Sequence, residues 1–170
     1  MNAWEGSLQR RAWRPYIETS VLLQTRLDED LQSSVGLSLL EYHLLLILSE
    51  SRDHRLRMGE LATRMVFSPS RLTYQVKTME GRGWVLRQPS PTDKRVQYAV
   101  LTASGLEKFH TADRHHIDTV QRLFTDDLDE HELHVITDVF TRLRARLQGH
   151  PESHETAPHG RQTDRTGGIH

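Results

Sequence analysis

The chain has 170 residues, 22 Lys and Arg against 23 Asp and Glu, a formal net charge of −1 and no cysteine. That length predicts one domain able to bury its own core, and the lack of cysteine excludes disulfides and thiol-based redox sensing. No run approaches the roughly 18 apolar residues of a membrane span, and the opening MNAWEGSLQRRAW lacks the apolar core of a signal peptide, so a cytoplasmic protein without a membrane partner is expected.

Residues 1–7 are expected to be flexible. From Leu8 to about Ser33 the pattern is helical, with Trp13, Ile17, Leu22 (or Val21), Leu27 and Leu31 at three-to-four spacing and Gly36 as a C-terminal cap. Ser38 and Glu41 stand three apart and form a capping box for the next helix. Its run YHLLLIL, Tyr42 to Leu48, is apolar on every side, which predicts a helix buried on every side with His43 inside it. A polar connection, SESRDHR, follows, and Leu56 to Met58 can form a short strand.

Gly59 to Met65 is a short helix. Ser68 then caps a second one, with Pro69 at its first position, running to about Arg82. Leu72, Val76 and Met79 fall on one face. Ser70, Arg71, Thr73, Tyr74 and Lys77 project from the other. Trp84 to Arg87 and Val96 to Leu101 are β-rich and flank the turn-forming PSPTDK, so a hairpin with Lys94 and Arg95 at its tip is predicted. Thr102 caps a helix that runs to about Phe124. Asp129 and Glu132 open the last helix, whose Leu133, Ile136, Phe140, Leu143 and Leu147 make a narrow seam suited to helix pairing. Residues 149–170 are nearly free of aliphatic side chains and read as a disordered tail that holds four of the eleven histidines.

Charge is unevenly spread. From Arg52 to Arg95 there are ten Lys and Arg against four Asp and Glu, a local +6, which leaves −7 for the remainder. A basic module on an acidic frame is the footprint of a nucleic-acid binder. A helix–turn–helix puts its second helix in the major groove, where base pairs differ in donor and acceptor pattern. Arg71 can fork onto guanine, Thr73, Tyr74 and Ser70 can reach bases or phosphates, and Lys77 can neutralise phosphate. The Ser68 end of the helix offers free N–H groups to a phosphate. The hairpin is then a wing whose Arg95 suits the minor groove, with Asp93 orienting that arginine or bracing the loop. Two rival readings stand beside this one. An enzyme lacks support, because there is no glycine-rich phosphate loop, HExxH or GxSxG, and the acidic pairs Asp126-Asp127 and Asp129-Glu130 flank a helix start. A winged-helix protein–protein adapter is the other, and the basic count of the recognition helix and wing speaks against it.

The run Asp93-Lys94-Arg95-Val96-Gln97-Tyr98-Ala99-Val100-Leu101-Thr102 resembles the wing signature of the MarR family, and MGELATRM and SRLTYQVKTMEGRGWV resemble its recognition-helix region. The chain departs from the usual family residues at Tyr74 and Val96. The resemblance covers about residues 8–148. It implies a mainly α fold with a small β wing, a DNA-binding lobe of about 56–102, and dimerisation helices of about 8–35 and 103–148. It further implies a homodimeric transcriptional regulator, usually a ligand-released repressor of a palindromic operator in double-stranded DNA. In the family, effectors lodge between the dimerisation helices and the DNA lobe. That region maps to Trp13, Tyr16, His43 and His116 and suits a small aromatic or carboxylate effector; no cofactor is assigned. A zinc-responsive alternative would draw on His43, His110, His115 and His116, with Glu41 adding an oxygen.

Overall fold

The computed structural model describes residues 6–149. The expected tail beyond residue 149, and residues 1–5 of the expected flexible N-terminus, lie outside the described residues. The chain divides into two compact units, one ending at Asp127 and one starting at Leu128.

The first unit begins with α1, Leu8–Val35, capped by the Ser7 hydroxyl, which accepts from the Arg10 N–H at 3.2 Å. Gly36 ends it at φ 65, a conformation glycine adopts without penalty. Helix α2, Leu39–Ser49, carries the complete capping box between Ser38 and Glu41. Strand β1 is Arg55–Arg57, α3 is Met58–Met65, and α4 is Pro69–Gly81 with Ser68 as its cap. Strands β2, Val85–Pro89, and β3, Gln97–Leu101, form the wing. Helix α5, Ala103–Val120, is capped by Thr102. The sheet is antiparallel in the order β1-β3-β2, with Arg57 opposite Tyr98 and Val85 opposite Leu101.

The core is aliphatic. Leu31, Leu37, Leu44, Leu45, Leu48, Leu61, Leu72, Val76, Met79 and Val85 are fully buried. The predicted face of α4, Leu72-Val76-Met79, is therefore the side turned into the core, where α4 packs on α3 and β2. Each such side chain contributes about 1.5–3 kcal/mol of transfer free energy relative to exposure.

One expectation needs correction. His43 is exposed. Along α2 the less buried positions are Leu39, Leu40, His43, Leu46 and Ser49, a stripe at helical spacing; the imidazole occupies the outward side of a helix buried on the other. The helix after the wing reaches about the expected Phe124 but is α-helical only as far as Val120. It continues as a wider π turn over Gln121–Thr125, closed by the Asp126 N–H donating to the Gln121 carbonyl at 2.9 Å. The apolar stripe of α1 is buried only at Leu27 and Leu31; Trp13, Ile17, Val21 and Leu22 are exposed.

The second unit contains α6, Glu130–Gln148, opened by the capping box of Asp129 and Glu132. No residue of α6 is fully buried. No single helix among the described residues is long and apolar enough to cross a membrane.

Candidate nucleic-acid interface

Local chemistry sets the presentation of α4. The Ser68 hydroxyl accepts from the Arg71 N–H at 3.3 Å, and Pro69 supplies a preset φ at the first position. The turn before it places Val66 at φ 55 and ψ 43, and the Phe67 N–H donates to the Ala62 carbonyl at 2.9 Å. With Leu72, Val76 and Met79 turned inwards, Ser70, Arg71, Thr73, Tyr74 and Lys77 are all exposed, as are Ser68, Lys94 and Arg95. The Arg71 guanidinium lies 4.1 Å from the centre of the Phe67 ring, which fixes a long side chain before any ligand arrives. The Thr73 hydroxyl donates to the Pro69 carbonyl at 2.8 Å, so it faces outward as an acceptor with a methyl group beside it.

In the wing, the Asp93 side chain accepts from the Arg95 N–H at 2.9 Å, and the Ser90 N–H donates to the Val96 carbonyl at 2.8 Å. Asp93 thus braces the turn through the backbone of Arg95. The wing joins α5 through Thr102, whose N–H donates to the Trp84 carbonyl at 3.0 Å.

The ten cations from Arg52 to Arg95 fall into two groups. Arg55, Arg64, Arg82 and Arg87 pair with Asp53, Glu60, Glu41 and Glu80 at 3.5, 2.8, 3.3 and 2.7 Å. Among the described residues, no carboxylate lies within ion-pair distance of Arg52, Arg57, Arg71, Lys77, Lys94 or Arg95. Apart from Arg52, in the turn before β1, the uncompensated charge is thus concentrated on α4, the wing tip and the strand that joins the wing. Thr73 and Arg95 meet at one groove of about 450 Å³, together with Arg57 and Gln97. Sequence reasoning missed Arg57. Its partner across the sheet, Tyr98, is 41 residues away, so its place beside the wing emerges only once β1 pairs with β3.

The expected effector residues do not form one cluster. Trp13 and Tyr16 pair on α1 with ring centroids 5.6 Å apart. His116 packs on Tyr42 at 4.3 Å, and Tyr42 donates its hydroxyl proton to Asp113 at 2.8 Å. Burial and then the Asp113 carboxylate push the Tyr42 pKa up. Burial holds the His116 pKa below its ordinary value against the pull of Asp113 and Asp30, and its Nδ1 is enclosed without a hydrogen-bond partner among the described residues. The zinc-ligand candidates also stay apart. His43 and His110 are exposed, and His115 Nε2 is held by the Asp30 carboxylate at 2.5 Å. Among the described residues no three His, Asp or Glu gather in a metal-holding group.

The MarR family model matches residues 37–96. AbsC, a MarR family transcriptional regulator from Streptomyces coelicolor, is 36% identical, with the alignment covering 88% of this chain and all of that one at a TM-score of 0.82. This chain belongs to the MarR family. Sco3205, another MarR family regulator of Streptomyces coelicolor, was solved in complex with DNA; it is 34% identical over 91% of this chain and 96% of its own, with a TM-score of 0.82. The transcriptional repressor YetL of Bacillus subtilis (strain 168) is 30% identical over 111 residues, 64% of this chain and 66% of that protein. As a MarR protein the chain is a transcriptional regulator rather than an enzyme.

Proposed function

We propose that this MarR protein is a homodimeric repressor that binds a palindromic operator in double-stranded DNA and is released by a small ligand. One observation carries the DNA reading: the cations left without carboxylates concentrate on the exposed side of α4 and on the wing. In this reading α4 enters the major groove. Arg71, held on Phe67, reads guanine, Thr73 accepts from a base amine, and Ser70 and Tyr74 contact base edges or the backbone. Lys77 and the N–H groups at Ser68 bind phosphate, and Lys94 and Arg95 follow the minor groove. The relative Sco3205, solved in complex with DNA, supports DNA binding by this fold.

The exposed apolar side chains of α1 and α6, among them Val21, Leu22 and Leu147, support pairing with a second copy. In that arrangement residues 8–35 and 103–148 form the dimerisation region and 56–102 the DNA-binding lobe, and two-fold symmetry places half-sites about one helical turn apart. Repression rests on the relative YetL. For an aromatic or carboxylate effector, the paired rings of Trp13 and Tyr16 on α1 and the enclosed Nδ1 of His116 on α5 are separate points of contact, and His43 lies on the outward side of α2. The protein would act in the cytoplasm.

A gel-shift titration of the full chain on DNA upstream of its own gene tests this, with a panel of aromatic acids and with zinc. A sequence-selective shift reversed by one of the acids is expected. No selective shift at moderate salt would sink the DNA reading, and a selective shift indifferent to every acid would remove the proposed effector class.

A further inference from the structure

The groove beside the wing holds three arginines in different electrostatic states. Arg87 is neutralised: its Nε donates to Glu80 Oε2 at 2.7 Å and its backbone N–H to Oε1 at 2.8 Å. The one carboxylate lining the groove, Glu60, is held by Arg64 at 2.8 Å. Arg95 projects from the hairpin without a carboxylate partner among the described residues. Arg57 is different again. Its Nε donates to the Tyr98 hydroxyl oxygen at 3.4 Å, a partner placed directly opposite it in the β1–β3 register. A phenolic oxygen steadies the guanidinium without cancelling its charge. The Tyr98 ring in turn lies under the Arg55 guanidinium at 5.6 Å.

With Nε engaged, the two Nη groups of Arg57 stay available as a fork. The residue is exposed and its charge is permanent. It stands on the sheet rather than on α4, so a duplex read by α4 would meet Arg57 at the sugar–phosphate chain bordering the groove, not at base edges. We propose that Arg57, aimed by Tyr98, grips one backbone phosphate of the bound duplex and anchors the wing there, with Tyr98 as its positioning residue. This rests on the DNA-binding reading above and adds a contact that fixes register without reading sequence.

The test is fluorescence anisotropy of the full chain on two labelled duplexes, the upstream DNA and a scrambled one, across about 50–200 mM salt. Arg57→Ala removes the contact from both protomers of the dimer, so it should weaken both duplexes by about 100-fold, about tenfold for each charge-assisted hydrogen bond, and lower the slope of log affinity against log salt by about 1.8. Arg57→Lys should keep the slope and lose part of the affinity, because an ammonium cannot fork. Tyr98→Phe should also keep the slope and weaken binding, and should add nothing on top of Arg57→Ala. The double variant Glu80→Ala/Arg87→Ala, which removes both charges of the neutral pair, should stay within about twofold of wild type. Folded variants are confirmed by circular dichroism; if Arg57→Ala fails to fold, the Lys and Phe variants decide by affinity at unchanged slope. Wild-type affinity and slope in these variants would overturn the phosphate contact while leaving DNA binding intact, as would an Arg57→Ala loss confined to the upstream duplex. No duplex binding by the wild type would sink the underlying reading and this inference with it.

Discussion

Glu41, with a side chain 5% exposed, joins the α1–α2 corner to the end of α4 through Arg82 at 3.3 Å. The same carboxylate accepts from the Ser38 N–H at 2.9 Å as half of the α2 capping box, and Arg82 also donates to the Gly36 carbonyl at 3.3 Å. One acid therefore holds the helix that frames the core and the helix that presents the candidate DNA contacts. Glu41→Ala should cost about 2–3 kcal/mol, from the lost cap and the lost charged hydrogen bond together. For a chain of this size that lowers the melting temperature by about 4–12 °C. Glu41→Gln retains an acceptor for the cap and should cost roughly half as much. Calorimetry decides, and a melt of Glu41→Ala within about 1 °C of wild type would remove the link.

Val66 stores strain in the turn between α3 and α4. It is a β-branched residue at φ 55, and it is 89% exposed, so no packing compensates. Left-handed backbone costs an ordinary L-residue about 1–2 kcal/mol, and asparagine tolerates it far better. Val66→Asn should raise stability by about 1 kcal/mol, read as a higher urea midpoint at unchanged slope. A lower midpoint would show that the valine side chain contributes something the isolated chain does not reveal.

The start of α5 leaves no room at Gly105. A Cβ built there would sit 2.1 Å from the Trp84 carbonyl oxygen and 2.8 Å from Leu101 Cδ1. That oxygen already receives the Thr102 N–H and hydroxyl at 3.0 and 3.1 Å, so it cannot retreat without breaking the joint between the wing and α5. Gly105→Ala should cost about 3 kcal/mol, at the upper end of overpacking. Gly81, the last residue of α4, has nothing within 4 Å of a built Cβ, and Gly81→Ala should be neutral or stabilising by up to about 1 kcal/mol. Parallel thermal melts separate the two; equal effects would contradict the steric account.

What the sequence disclosed was local. Ser38, Ser68, Thr102 and Asp129 cap the helices they were expected to cap, because a cap needs only three neighbouring residues. The buried face of α4 was legible because Leu72, Val76 and Met79 mark its phase against polar neighbours. In α2 the leucines run on all sides, so no phase was visible and His43 was placed inside instead of on the outward stripe. Pairings across the fold were also hidden. Arg82 meets Glu41 and Arg57 meets Tyr98 across 41 residues each, and these partners decide which cations keep their charge uncompensated. His115 looked like a metal ligand beside His116; tertiary packing gave it to Asp30 on α1, 85 residues away.

His116 and Asp30 make the stability of the first unit depend on pH in two separate ranges. Burial against Tyr42 holds the His116 imidazole below its ordinary 6.5. The unfolded chain therefore takes up that proton at a higher pH than the folded one. The contribution is complete above about pH 6.5 and is lost as pH falls through the folded value. Asp30 follows the same sign at lower pH. Burial acts to raise its pKa, but hydrogen bonds from Thr119 and His115 and the charges of His115 and Arg122 outweigh burial and hold it below 3.8. Its contribution is complete above about pH 4 and is lost on further acidification. Urea titrations at stepped pH should show stability declining first below about pH 6.5 and again below about pH 4. His116→Phe, which keeps an aromatic ring against Tyr42 without a titrating nitrogen, should flatten the first decline and leave the second. Asp30→Asn should remove the second and lower the neutral-pH plateau by about 1–2 kcal/mol, the scale of its charged hydrogen bonds. A His116→Phe profile parallel to wild type between about pH 7 and 5 would show that the first decline arises at another group.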